Sequence, residues 1–295
     1  MKTKILRNIF LSLGVIFALA ITTHAQNLYV SVNGPFNGTN SAGSISEYTP
    51  AGVQTTFTSG IPDPRGLAFD SKGNLYAAIS AFVDGHVVGK VVEFNPQRMP
   101  TTIGAAAFYG IFEGVAIDAG GNVYVFTAGG KNPSTIFKFV PGVSRTIFAT
   151  GFGQGFGLAF DSAGNLYAAD AGNQTINKFT PNGTGSVFVG PIAFAAGTFP
   201  VGLAFDSSGN LFVSTEGDPG SDTILVFTPT GMKSTFATGL TEPRGLAFDG
   251  SGNLFVALTR ATPNGAILKF TTAGAETVFA TGIDRPEFLA FGPAR

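Results

Sequence analysis

Residues 156 to 169 read FGLAFDSAGNLYAA, and the stretch returns as RGLAFDSKGNLYAA from Arg65, EGVAIDAGGNVYVF from Glu113, VGLAFDSSGNLFVS from Val201 and RGLAFDGSGNLFVA from Arg244. The glycines that open these copies, Gly66, Gly114, Gly157, Gly202 and Gly245, are 48, 43, 45 and 43 residues apart, and Phe288 stands a further 43 on. Self-similarity at this period marks stacked four-stranded units. In GLAFD, Leu and Phe share one face of a strand while Gly and Ala share the other, as a period of two requires. The Asp-x-x-Gly-Asn that follows, as in Asp161 to Asn165, is a tight hairpin in which Gly takes a positive φ and the Asp side chain bonds backbone amides. The repeated Asp70, Asp118, Asp161, Asp206 and Asp249 are therefore expected to be turn formers.

Outward from this core, each copy runs into a third alternating strand: VVEFNP from Val91, IFKFVP from Ile136, INKFTP from Ile176, ILVFTP from Ile224 and ILKFTT from Ile267. A short fourth strand follows, as in IFAT from Ile147 and VFAT from Val278. The N-terminal NLYVSV from Asn27, ISEYTP from Ile45 and TTFT from Thr55 are second, third and fourth strands without a first, which EFLAF, from Glu287 to Phe291, supplies. Joining the two ends removes the open sheet edge that would otherwise template aggregation. The expected fold is all-β: a six-bladed β-propeller with four antiparallel strands per blade, closed by pairing of the C-terminal strand with the N-terminal strands, in a single domain over residues 26–295.

The repeat resembles the NHL-type propeller and the wider group that contains gluconolactonase and senescence-marker-like proteins. GLAFDSAGNLYAADAGNQTINKF, from Gly157, carries the likeness best. The resemblance extends over nearly all of residues 26–295 and implies the propeller fold. For activity it implies a wide range, from calcium- or zinc-dependent lactonases and lyases to proteins that only bind partners.

The first 26 residues, MKTKILRNIFLSLGVIFALAITTHAQ, have a basic start, an apolar run from about Ile9 to Ile21 and small or polar residues up to Ala25. This is a signal-peptide pattern over residues 1–25, and the apolar run is shorter than the ~20 residues of a spanning helix. The mature chain is expected to be exported, periplasmic or extracellular, monomeric, and without a membrane span. Removing Lys2, Lys4 and Arg7 from 17 basic residues leaves 14 against 18 acidic ones, a net charge of −4. With no Lys/Arg cluster, nucleic acid is not an expected partner. There is no Cys, which excludes disulfides, thiolate metal sites and a cysteine nucleophile. Thirty Phe and no Trp suggest aromatic rings filling the space between sheets rather than platforms for sugars.

Long, variable loops between second and third strands, including residues 80–90 and 216–222, share one end of the barrel, and binding usually resides on such loops. The same end receives the residue before each inner-strand glycine, and these six are expected to ring the mouth of an axial channel: Arg65, Glu113, Phe156, Val201, Arg244 and Glu287. In the gluconolactonase-like group, this position in certain blades supplies Asn or Asp metal ligands, and none of the six is Asn or Asp here. In ring order Arg244, Glu287, Arg65 and Glu113 alternate in sign, and a permanently protonated arginine opposes a nearby cation. Phe156 and Val201 make the other side apolar, so the mouth suits a small amphipathic ligand or a peptide side chain. Asp170, Glu216 and Asp218 are further acidic candidates on that face. His24 leaves with the leader, and His86 alone does not make a histidine cluster.

These residues describe a non-catalytic module that binds an unidentified protein or small polar ligand and needs no cofactor. The alternative is a metal-dependent lactone or ester hydrolase with Glu113 and Glu287 holding Ca or Zn. A third reading is a purely structural envelope protein.

Overall fold

A computed structural model describes residues 26–33, 42–107, 110–129, 132–143, 145–217, 220–260 and 264–294. The leader and Asp218 lie outside the described residues. Strands β1 (Leu28–Val32), β2 (Ala42–Tyr48) and β3 (Gln54–Pro62) belong to blade one. Blade two holds β4 (Pro64–Phe69), β5 (Leu75–Val83), β6 (His86–Phe94) and β7 (Pro100–Ala107); blade three holds β8 (Ile111–Ile117), β9 (Val123–Ala128), β10 (Ser134–Phe139) and β11 (Thr146–Phe152). Blade four holds β12 (Gly155–Phe160), β13 (Leu166–Asp170), β14 (Thr175–Phe179) and β15 (Gly185–Val189); blade five holds β16 (Phe199–Phe205), β17 (Leu211–Glu216), β18 (Thr223–Phe227) and β19 (Lys233–Thr238). Blade six holds β20 (Pro243–Phe248), β21 (Leu254–Leu258), β22 (Gly265–Phe270) and β23 (Glu276–Ile283), and β24 (Pro286–Phe291) returns to blade one.

Each blade is a four-stranded antiparallel sheet, and blade one has the order β24-β1-β2-β3. Leu28 pairs with Phe291 and Val30 with Leu289, so the ring is closed by main-chain hydrogen bonds as the split repeat demands. Residues 80–90 differ from expectation. They are not a loop but the outer part of a hairpin, paired from Ser80–Gly89 to Val83–His86 and turning at Asp84 and Gly85, both at positive φ.

The inner strands meet backbone to backbone, which is why the repeat needs its first glycine. A Cβ on Gly66 would collide with the Glu113 carbonyl oxygen, and one on Gly202 with that of Arg244. The five aspartates cap their hairpins as expected: Asp161 accepts from the amides of Ala163 and Asn165 at 3.0 and 2.8 Å, with Gly164 at φ 79°.

Between blades the core is aromatic. Tyr29 on a second strand sits edge-on between Phe57 of its own blade and Phe69 of the next, with centroids 5.4 and 4.9 Å away. The same triad is built around Tyr124, Tyr167, Phe212 and Phe255, at 4.9 to 5.2 Å. Each such pair contributes about 0.5–1.5 kcal/mol beyond its buried area. At the sixth interface the central ring is Tyr76, and the two flanking positions are Ile103 and Ile117.

Candidate functional site

The side chains at the channel mouth are aimed by β-bulges. Pro64 pairs with Ile79 and Leu67 with Ala77, so Arg65 and Gly66 together oppose Ala78 alone. The same irregularity falls at residues 113–114, 156–157, 201–202, 244–245 and 287–288. A bulge turns a side chain out of strict alternation, here for the residue before the glycine. Buried hydroxyls stitch two of the bulges: Ser31 accepts from the Phe288 amide at 2.9 Å, and Ser214 accepts from Gly202 at 2.8 Å while donating to the Arg244 carbonyl at 2.7 Å.

The structure brings the four charged mouth residues together. Arg65 donates from Nη1 to both carboxylate oxygens of Glu113 at 2.9 and 3.1 Å, and lies 3.9 Å from Glu287. Arg244 donates from Nη1 to Glu287 at 2.6 Å and from Nε to Glu216 at 2.7 Å. Glu216, expected only as a loop carboxylate near the mouth, is thereby part of the arc. Two residues that sequence reasoning missed extend it: Asp63 accepts from Arg65 Nε at 3.2 Å, and Arg285 donates to Glu287 at 3.4 Å. Both stand before a proline at positive φ, as does Glu242, so an acid or base in the Asp63-Pro64-Arg65 pattern was the available signal.

The arc is buried: Glu287 is 0% exposed, Glu113 2%, Glu216 6% and Arg65 9%. Burial alone would lower the guanidinium pKa of Arg65, but Glu113, Glu287 and Asp63 outweigh it and hold it above its ordinary value. Arg244 is raised against burial by Glu287, Glu216 and Glu113. Burial opposes the charge on Glu287, yet Arg244 and Arg65 prevail and hold that carboxyl below the usual range. At the remaining two acids burial wins: Glu113 is pushed up despite Arg65 and Arg244, and Glu216 is pushed up to about 7 despite Arg244. Three buried carboxylates share the guanidiniums of Arg65 and Arg244, with Arg285 adding a third at Glu287.

On the apolar side, Phe156 lies 5.9 Å beneath the Arg244 guanidinium carbon and stacks on Phe199 at 6.3 Å. Val201 is wholly buried and packs in the same cluster as Phe156, so it backs this wall rather than lining it. Asp170 is placed as a loop clamp. Its carboxylate accepts from the amides of Gly153 and Gln154 at 3.0 and 3.1 Å and from the Asn173 side chain at 2.7 Å. His86 opens β6 at the tip of the long hairpin.

The metal that the gluconolactonase-like resemblance implies does not fit these residues. Glu113 and Glu287, the pair expected for Ca or Zn, are held by guanidinium nitrogens at 2.6 to 3.1 Å, where a divalent ion would meet two fixed positive charges.

No family model matches the chain, and no curated protein matches it. Solved structures do. A catalytically inactive virginiamycin B lyase from Staphylococcus aureus with quinupristin is 14% identical, with a TM-score of 0.64 over 91% of this chain and 90% of that one. A putative 6-phosphogluconolactonase from Bacteroides uniformis is 14% identical, with a TM-score of 0.63 over 91% and 99%. A putative gluconolactonase is 14% identical, with a TM-score of 0.56 over 86% and 88%. The expected kinship with gluconolactonase-like propellers thus holds at the level of the fold. Among the described residues, no helix is long and apolar enough to cross a membrane.

Proposed function

We propose that this propeller is an exported binding module whose axial mouth takes a small polar ligand with an apolar body. One observation carries the reading. Arg65 is 9% exposed, its Nε and Nη1 are spent on Asp63 and Glu113, and its Nη2 amino group has no acceptor among the described residues. This amino group is not among the buried atoms left without a partner, so it meets solvent, and a ligand acceptor can take the place of that water. The surrounding carboxylates oppose an anion, so a carbonyl or hydroxyl suits the site better than a carboxylate, and the Phe156 ring, 6% exposed beneath Arg244, gives the mouth an apolar edge.

The metal-dependent hydrolase is the weaker reading, because it requires at least one arginine to leave its carboxylate. Export rests on the pattern of residues 1–25, and intact mass of the secreted product should place the mature start at Gln26.

The test is a screen of lactones, polyols and cyclic peptides, followed by calorimetry. Binders should lose about tenfold or more in affinity in Arg65→Ala, about 1.4 kcal/mol or more. A screen in which every binder keeps its affinity in that variant, or in which nothing binds, rejects the mouth as a ligand site.

A further inference from the structure

We infer that the groove between blades two and three, at the opposite end from the axial mouth, is a guanidinium site that receives an arginine side chain from a second polypeptide. It has a volume of about 1030 Å³, against about 460 Å³ for the groove between blades six and one. Its origin is legible in the repeat. Where five interfaces pack two Phe rings around the second-strand aromatic, Tyr76 meets Ile103 and Ile117, and both line the groove. Tyr76 is as buried as its counterparts, at 6%, and the smaller side chains open the groove beside it.

The charge pattern departs at the same place. In blades three, four and six the third strand carries a lysine over the aromatic ring: Lys138, Lys178 and Lys269 lie 5.2, 5.2 and 5.3 Å from the ring centroids. The turn of the following blade that faces these lysines, five residues past its own third-strand position, is glycine: Gly183, Gly231 and Gly52. In blade one the lysine is replaced by Glu47, and the facing turn position is then Arg98. Its guanidinium bonds Glu47 at 2.8 Å and covers the Phe57 ring at 5.0 Å. Blade two repeats the acid as Glu93, but the facing turn position is Val143, 65% exposed on the groove wall. The acid is present and its arginine is not.

Glu93 forms no ion pair among the described residues and shares the groove with Asp70 and Asp118; Lys72 stands on the rim, and Lys138 lies 4.0 Å from Asp118. The Tyr76 hydroxyl donates to Asp70 at 3.3 Å with Glu93 in the same groove, and burial first, then these carboxylates, raise it above its ordinary pKa. A carboxylate beside an apolar wall suits a guanidinium and its aliphatic stem, and Ile103, where Phe57 underlies Arg98 in blade one, forms that wall with Ile117. The protein's own occupant of the equivalent groove, Arg98, is presented on a tight chain turn with its amide bonded to the Asn95 carbonyl at 2.7 Å. The precedent favours an arginine presented on a polypeptide turn over a free amine.

The probe is a capped peptide of residues 95–99 of this chain, titrated into the mature protein and followed by amide NMR, with a citrulline analogue and agmatine as controls. The arginine peptide should shift resonances of Ile103, Ile117 and Val143, and the neutral citrulline peptide should bind about tenfold more weakly. Glu93→Lys and Val143→Arg fill the groove with residues that the repeat already uses at these positions, and should abolish the shifts without loss of fold. Arg65→Ala should leave them unchanged, so the groove and the mouth are judged separately. No shift at the groove, an equal response to citrulline, or shifts that persist in Val143→Arg would overturn the site. Agmatine binding as tightly as the peptide would overturn the polypeptide as its source.

Discussion

Arg244 of blade six donates to Glu287 of blade one at 2.6 Å, across the junction between these blades, and Glu287 has no exposed surface. A wholly buried carboxylate there meets a guanidinium whose side chain is 16% exposed. Their worth lies in mutual compensation rather than in net stabilisation.

Removing one partner therefore exposes the cost. Glu287→Ala should destabilise the protein by about 3–5 kcal/mol, because Arg244 and Arg65 keep buried charges with less to neutralise them. The check is urea unfolding at neutral pH. A change below about 1 kcal/mol would mean that the arc relaxes into solvent.

Glu113 and Glu216, both pushed up by burial, set the pH response with the same sign, and the Glu216 share can be placed on the pH scale. The Glu216 carboxyl is raised from 4.5 to about 7, so between these values the folded state holds a proton that the unfolded state has lost. The stability it contributes is complete below pH 4.5 and is lost as pH rises through about 7, by up to about 3 kcal/mol. Glu287 acts with the opposite sign, its contribution lost as pH falls through a lowered pKa. In Glu216→Gln the decline of stability across pH 4.5–7 should flatten. Chemical denaturation at four or five pH values reads this directly, and an unchanged slope would assign the titration elsewhere.

Gly202→Ala should lower stability by about 2–3 kcal/mol, since the new methyl meets the Arg244 carbonyl and sits 2.8 Å from Ser214 Oγ. The obstacle is backbone, which cannot swing aside as a side chain would. Thermal unfolding at the level of the parent protein would show that the blades can move apart at the axis.

Deletion of residues 286–295 removes β24 and leaves β1 as an open edge, with Leu28 and Val30 stripped of their partners. The truncated chain should lose its cooperative melt. A sharp transition at the original temperature would contradict closure by this strand.

The period of the GLAFD repeat made the blades legible, and the missing first strand made the closure legible, because one blade cannot be completed without EFLAF. The mouth was legible for the same reason: the residue before each glycine is fixed by the repeat. What lay beyond reach were contacts between repeats. That Glu216 serves Arg244, or that Asp170 clamps the 153–154 amides, depends on how loops fold back over neighbouring strands, and no period encodes it. The outer groove stands between these cases. Ile103, Ile117, Glu93 and Val143 are visible departures once the blades are superposed, but they belong to one site only because β7, β8 and the turn after β10 converge there.

The closure has a further consequence when force rather than heat is applied. The chain enters β1 beside the point where it leaves β24: Gln26 bonds the Gly292 carbonyl at 2.9 Å, and the Gly292 amide bonds Asn27 at 2.9 Å. Pulling residues 26 and 292 apart would load the antiparallel ladder one rung at a time, Leu28 from Phe291 first and Val30 from Leu289 later, instead of shearing all rungs together. The seam is a zipper in mechanical terms. A ring that unfolds as one unit in urea should, in an optical trap, first release β24 as a separate low-force step.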